Sequence, residues 1–446
     1  MRGCRPLLLP AMLAAASSVA ACQAPITTSA IGISQAAIAA DDFRADGVSR
    51  REVVVKLSPG ARLPAGAKVK RTIRSLDLAI LEVPAGKSPE QALSGIARTA
   101  GLRYAEVVRR VEFEEPAPEP RQPGANPGDP VIVPGQPGAA PTEPIIGPRL
   151  PAPVPDPRQG EQFGLGLVKA PEAWQTTRGD RNTLLAIVDS GIDLTHPELR
   201  GQVSAAFNVL TRTADVRDAK GHGTHTSGIA VAAAGNGEGG SGVAPGCGLL
   251  AVQISAQGQS GISVDPSRSS DVLAAEGIAW AVDNGAKVVS MSFGFYRRSR
   301  PLEDALQYAL DRDVVLVASA GNNHARNDHE TAPHLPSTYP GVLEVAAVDR
   351  DARVAKFSNY GKTVAVAAPG VDVLSSIPGG YAPKSGTSMA APHVAGVAAL
   401  IRSQFPGLDR AAVRQRIESS ARDLGNPGYD DVFGNGLVDA AAALRI

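Results

Sequence analysis

Three cysteines in 446 residues are too few for a disulfide framework. Cys4 and Cys22 sit near the amino terminus, leaving Cys247 alone in the body of the chain, so stability must come from packing or ions. Cys247 follows Pro245 and Gly246 and precedes the apolar LLAVQI, which reads as a small buried filler rather than a reactive thiol. An excess of charge is also missing. Lys plus Arg and Asp plus Glu each total 44, which removes a general electrostatic attraction for nucleic acid. Aromatic residues are only 4% of the chain, which argues against a stacking platform for single strands.

What is present divides into segments. The first 22 residues, MRGCRPLLLPAMLAAASSVAAC, carry two arginines, an apolar run too short to span a bilayer, and small residues before a cysteine. This predicts a signal peptide over 1–21 and export from the cytoplasm. The ending Val19-Ala20-Ala21-Cys22 resembles the lipobox of bacterial lipoproteins and implies a lipid on Cys22; the alternative is a plain signal cut after Ala21 or a nearby alanine. Residues 23–49 read as an Ala/Ser/Thr tether. Over 50–115, REVVVKL, LAILEV and LRYAEVVRRV read as strands and PEQALSGIARTA as a helix, a small α+β unit. Residues 116–158 hold about one proline in three, which predicts an extended spacer without a core.

From 159 to 446 the apolar runs TLLAIV, LLAVQI, KVVSMS, VVLVASA, VLEVAAV and TVAVAA alternate with helical stretches. Near-continuous strands interleaved with helices predict an α/β fold with a mostly parallel sheet covered on both faces. Sites in such folds gather beyond the carboxyl ends of the strands. Asp189 ends the first run, Asn322 follows the fourth, and His222 and Ser388 open helical stretches. A carboxylate, an imidazole, a side-chain amide and a hydroxyl are what acyl transfer requires. The imidazole takes the serine proton, the carboxylate fixes the imidazole tautomer, and the amide stabilises an oxyanion. Each residue also has a plainer reading: Ser388 as a helix cap, Asp189 and Asn322 as turn formers, His222 with His225 as a zinc pair lacking a third ligand.

The strings DSGID, HGTHTSG, SAGN and GTSMAAPHVAG, in that order, resemble those of the subtilisin-like serine proteases. The resemblance runs from Phe163 to Ile446. It implies a subtilisin-like fold with Asp189 as orienting acid, His222 as general base and acid, Ser388 as nucleophile and Asn322 as oxyanion donor. His196, His225 and His393 are left as structural. It further implies a substrate cleft with Ser292, Phe293 and Gly294 on one wall and Ser319, Ala320 and Gly321 on the other, where a polypeptide pairs as a strand with broad specificity. Phe293 stands where the family usually has an aliphatic residue; its ring either narrows a subsite or packs inward. A cis peptide is expected at Leu335-Pro336. Catalysis needs no cofactor. A structural calcium ion is implied at Gln159, Glu198 and Asn236, although Glu replaces the family's Asp and the GNGEGGSG loop is degenerate, so an ordinary surface loop is the other reading.

The 50–115 unit resembles the family's propeptide, which implies an intramolecular inhibitor and self-processing at a cut between about Arg110 and Arg158. The expected protein is therefore an endopeptidase, secreted or held on a bacterial membrane through Cys22, acting on polypeptides. The competing reading is a peptide-binding or adhesion lipoprotein on a protease-like scaffold without catalysis.

Overall fold

Alternation along each strand decides the layering. In a computed structural model, which describes residues 48–109, 155–255, 270–330 and 333–445, Leu185 and Ile187 face one core while Ala186 and Val188 face a second. The same split separates Leu249 and Ala251 from Leu250 and Val252. Both faces of the sheet are thus apolar, and helices cover both. The expectations for 1–21, Cys22, most of the tether and nearly all of the spacer lie outside the described residues.

The amino-terminal unit comprises β1 (Val48–Leu57), β2 (Val69–Ile73), β3 (Leu78–Glu82), α1 (Pro89–Ile96) and β4 (Leu102–Arg109). It forms an antiparallel sheet in the order β2-β3-β1-β4. Ser88 starts α1: its hydroxyl accepts from the Gln91 amide while the Gln91 side chain accepts from the Ser88 amide, and Pro89 occupies the first turn. Ala92 and Ile96 then pack with Val53, Val55 and Leu81 on one sheet face.

The large unit contains α2 (Phe163–Leu167), α3 (Ala170–Ala173), β5 (Leu184–Asp189), β6 (Val203–Asn208), α4 (His222–Val231), β7 (Gly248–Gln253), α5 (Asp271–Asp283), β8 (Ala286–Met291), β9 (Phe295–Tyr296), α6 (Arg300–Leu310), β10 (Val315–Ser319), β11 (His334–Leu335), β12 (Val342–Val348), β13 (Val364–Pro369), β14 (Val373–Ile377), β15 (Gly380–Lys384), α7 (Thr387–Gln404), α8 (Arg410–Ser420) and α9 (Ala440–Ala443). Seven parallel strands lie in the order β13-β12-β10-β8-β5-β7-β6. All six apolar runs are strands of this sheet. The sequence reading missed β6 because it is a half-buried edge strand without a continuous apolar run, and it missed the β14–β15 hairpin for the same lack of pattern.

Strand order reverses at β5, whose neighbours are β7 on one side and β8 on the other. That switch point opens a crevice at the carboxyl ends of β5, β8 and β10. On the sheet face covered by α5 and α6, Val54, Ile80 and Val108 of the small sheet join the core that contains Val272, Leu302 and Leu306 of those helices. Polar bonds complete this contact: Lys56 and the Tyr104 hydroxyl both meet Asp304, at 2.8 and 2.6 Å, and the Arg109 amide donates to the buried Asp271 at 2.9 Å.

Candidate active site

Asp189 ends β5 with its carboxylate almost wholly buried. A buried carboxylate needs donors. Its Oδ1 accepts from the Ser190 amide at 2.6 Å and from His222 Nδ1 at 2.7 Å, and its Oδ2 accepts from the Thr226 hydroxyl at 3.1 Å. Because the carboxylate can only accept, the His222 hydrogen sits on Nδ1 and the lone pair on Nε2.

His222 is the first residue of α4, and the helix can lie so close only because Gly223 follows. A Cβ there would stand 2.1 Å from the Gly191 carbonyl oxygen. A second buried carboxylate, Asp218, anchors the turn before α4. It accepts from the Ser190 hydroxyl, the Gly221 amide and both the amide and hydroxyl of Thr224, at 2.7 to 3.0 Å. Burial pushes the Asp218 carboxyl up from its ordinary range, against the pull of these donors. The sequence reading missed Asp218, although its position four residues before His222 in DAKGHG was visible.

Ser388 is the second residue of α7. Its carbonyl accepts from the Ser292 hydroxyl at 2.9 Å, and its hydroxyl lies 3.4 Å from the Ser292 carbonyl oxygen. Thr387 ties the same helix start to the end of β10. Asn322 Oδ1 accepts from the Thr387 amide at 2.8 Å and from its hydroxyl at 2.9 Å, and that hydroxyl accepts from the Gly321 amide at 3.0 Å. With its oxygen held there, the Asn322 amide turns its Nδ2 hydrogens the other way. Asn359, unforeseen in the sequence, braces this loop: its Oδ1 accepts from the Asn323 and Ala325 amides, and its Nδ2 donates to the Ala320 carbonyl. The helices α4 and α7 pack on each other, so the side chains named in the sequence lie along one carboxyl edge centred on β5, β8 and β10.

The segments expected to form cleft walls leave adjacent strands side by side, since Met291 pairs with Ala318. Phe293 turns inward, into the core shared with Met291, Phe295 and Leu335. The Leu335-Pro336 peptide is cis. His222 and His225 do not converge as a zinc pair: His225 is buried, bonds the Ala382 carbonyl through Nε2, and is pushed down to about 3 by desolvation. His196 and His393 likewise bond the carbonyls of Gly380 and Met389. Cys247 is buried beside Ser403.

The arrangement of Gln159, Glu198 and Asn236 gives the calcium expectation no specific support. A calcium ion gathers oxygen lone pairs, but these are already turned to hydrogen donors. Glu198 accepts from the Gly240 amide, the Tyr381 hydroxyl and Asn236 Nδ2, and the Asn236 oxygen accepts from the Glu238 amide. Gln159 only opens a short 3-10 helix over 159–161. The centre of the loop is instead Asp156, which the sequence reading had left inside the spacer. Its carboxylate accepts from the Gly235, Asn236 and Gly237 amides and the Ser241 hydroxyl. Among the described residues no three His, Cys, Asp or Glu side chains gather as a metal cluster.

Comparison with known proteins decides the family. A profile described as "Subtilase family" matches residues 180–436, more than half of the chain. The chain belongs to the subtilase family. A second profile, the fervidolysin N-terminal prodomain, matches residues 49–107. This subtilase is 41% identical over 271 residues to the thermophilic serine proteinase of Bacillus sp. (strain AK1), covering 60% of this chain and 64% of that one. It is 38% identical to thermitase of Thermoactinomyces vulgaris over 64% of this chain and 96% of that one. The crystal structure of fervidolysin from Fervidobacterium pennivorans, a keratinolytic enzyme related to subtilisin, superposes with a TM-score of 0.71 at 29% identity, over 91% of this chain and 62% of that one. The subtilisin-like fold, with its parallel sheet and preceding prodomain, is as the sequence implied.

Proposed function

We propose that the chain is a serine endopeptidase that hydrolyses peptide bonds through an acyl-enzyme on Ser388. The observation that carries this is the buried Asp189–His222 pair at the switch point, with the Ser388 helix start tied to the neighbouring strand end. The Ser388 oxygen attacks the peptide carbonyl carbon while its proton passes to His222 Nε2. Asp189 stabilises the imidazolium, and the Asn322 amide and the Ser388 backbone N–H receive the oxyanion. Collapse of the intermediate breaks the C–N bond as His222 returns the proton to the leaving amine. Water then repeats the sequence on the ester.

The substrate lies extended between Ser292–Gly294 and Ser319–Gly321, held by backbone pairing with little demand on sequence. The unit at 50–115 inhibits in cis and is removed by self-cleavage in the 110–158 region. The protein acts outside the cytoplasm, secreted or anchored by a lipid on Cys22. The scaffold-only alternative has no feature in its favour, since each catalytic position is filled.

Labelling by a fluorophosphonate tests the reading. Wild type freed of its prodomain is expected to label and to degrade casein, and Ser388→Ala to do neither. Folded wild type that does not label would overturn it. Intact mass and amino-terminal sequencing of the mature protein separate lipidation from simple secretion and locate the cut.

A further inference from the structure

Strand β12 carries one residue that its pattern does not explain. In VLEVAAV every neighbour is apolar, yet Glu344 is wholly buried, opposite Ala318 of β10. A buried carboxyl is costly unless donors reach it. Burial pushes this one up to about 7, against the pull of the Thr363, Asn327 and Ser337 side chains. No step of the mechanism uses it. Its Oε1 instead accepts from Asn327 Nδ2, and the same amide nitrogen donates to the Ala320 carbonyl at 2.6 Å. A carbonyl can only accept, so Asn327 turns its nitrogen to Ala320, and its Oδ1 accepts from Asn359 Nδ2 at 2.9 Å. The Ala320 carbonyl accepts a second bond, from Asn359 Nδ2 at 2.9 Å. A peptide unit is planar and trans, so a carbonyl drawn toward these buried amides sends the N–H of the same unit the other way. That N–H belongs to Gly321 and donates to the Thr387 hydroxyl at 3.0 Å, and the hydroxyl donates to Asn322 Oδ1 at 2.9 Å. A continuous chain of bonds thus joins Glu344 to the Asn322 amide. Glycine is required at 321, because a Cβ there would stand 2.3 Å from Asn359 Nδ2.

We propose that Asn327, held by Glu344, is a positioning residue for catalysis: it fixes the Ala320–Gly321 peptide and, through it, the direction of the Asn322 amide. Neither side chain touches substrate. Oxyanion stabilisation depends on donors that are aimed before the charge develops, and bonds in series align and strengthen one another in a low-dielectric interior. Asn327 is fully buried, so water does not replace its bonds when they are lost. The inference deepens the protease reading and rests on it.

The test measures kcat and KM for a peptide nitroanilide. Every form is made as the full chain and processed in trans by immobilised trypsin, which is then removed, and active sites are counted with a fluorophosphonate. Asn327→Ala is expected to lower kcat about tenfold or more and to leave KM within about twofold. Asn322→Ala is expected to lower kcat about a hundredfold, the usual cost of one oxyanion donor. On that background Asn327→Ala is expected to change kcat by less than about threefold, because a residue that acts through Asn322 has nothing left to aim. Glu344→Gln keeps an oxygen for Asn327 and is expected to hold kcat within about threefold of wild type, whereas Glu344→Ala falls with Asn327→Ala. Circular dichroism and Tm identify folded variants, and Asn327→Ser, with the same expected dependence on Asn322, stands in where Asn327→Ala does not fold. Equal losses from the Asn327 variant on both backgrounds, or a rise in KM with kcat unchanged, would overturn the inference. So would failure of every Asn327 and Glu344 variant to fold, since the cluster would then support the fold alone. If wild type neither labels nor cleaves, the protease reading itself fails and the inference falls with it.

Discussion

Asp189 and Asp156 are both buried carboxylates surrounded by hydrogen donors, yet they are built for different ends. Asp156 accepts only from groups that hold still: three consecutive backbone amides and one serine hydroxyl. Asp189 gives one oxygen to an imidazole whose proton affinity it controls. Burial of charge demands donors in either case. The identity of the donors separates a fastening from a reactive centre, and burial alone does not.

Breaking each carboxylate sharpens that contrast. Asp189→Asn keeps the shape but lets the side chain donate to Nδ1, which places the hydrogen on Nε2 and removes the base; kcat is expected to fall about ten-thousandfold. Its stability is expected to fall by about 1 to 3 kcal/mol, because the Ser190 amide shares Oδ1 with His222 and loses its acceptor when nitrogen takes that place. Steady-state hydrolysis of a peptide nitroanilide together with calorimetry checks both halves. Retention of more than a tenth of the activity would remove Asp189 from its role.

Asp156→Ala spares activity instead. It leaves three loop amides without their acceptor, on the half-buried Gly235 and the exposed Asn236 and Gly237, at about 1 to 3 kcal/mol for a group that water cannot reach and less where it can. With partial relaxation we expect about 3 kcal/mol in total, or a fall of roughly 6 to 12 °C in Tm for a unit of this size. Activity per folded molecule at low temperature is expected to remain, since no Asp156 contact touches the Asp189 cluster. A variant that melts like wild type but loses activity would show the two regions to be coupled.

These two residues also mark what the sequence allowed to be read. Asp189, His222, Asn322 and Ser388 stand at ends of elements whose apolar pattern is strong, so the predicted strands already carried them to one edge. Asp156 sits at the end of a proline-rich run, and its partners lie 79 to 85 residues away in a glycine-rich loop. No local pattern joins them. Asn359 was hidden for the same reason, because its partners lie 34 to 39 residues away in the loop after β10. Phe293 was ambiguous because an aromatic beside a cleft can turn either way, and only the packing against Leu335 and Met291 decides it.

A subtler substitution probes the reactive carboxylate from its other oxygen. Thr226→Val removes the hydroxyl that donates to Asp189 Oδ2 while preserving the volume of the side chain. One lost bond to a charged acceptor is about 1.5 to 3 kcal/mol at most, and Asp189 retains its Ser190 and His222 partners. We expect a fall in kcat of about tenfold with KM unchanged within twofold, since Thr226 lies behind the histidine. A rise in KM without loss of kcat would mean that the hydroxyl supports the cleft instead.

The smallest effect is expected from chelation of wild type, and it bears directly on what holds the Asp156 loop. Calcium would need the oxygens of Glu198 and Asn236, but Asn236 turns its Nδ2 toward Glu198, and burial pushes the Glu198 carboxyl up to about 7. Near neutral pH that carboxyl is therefore partly protonated, and it already accepts from Gly240 and Tyr381. With no lone pairs converging, Tm is expected to move by less than about 1 °C between EDTA and millimolar calcium, because a ligand stabilises a fold only through its affinity for it. A rise of several degrees with calcium would mean that the Asn236 amide turns over to coordinate an ion. Asp156 would then be an outer support of a cation site, and the loop would no longer be an example of a carboxylate standing in the place of an ion.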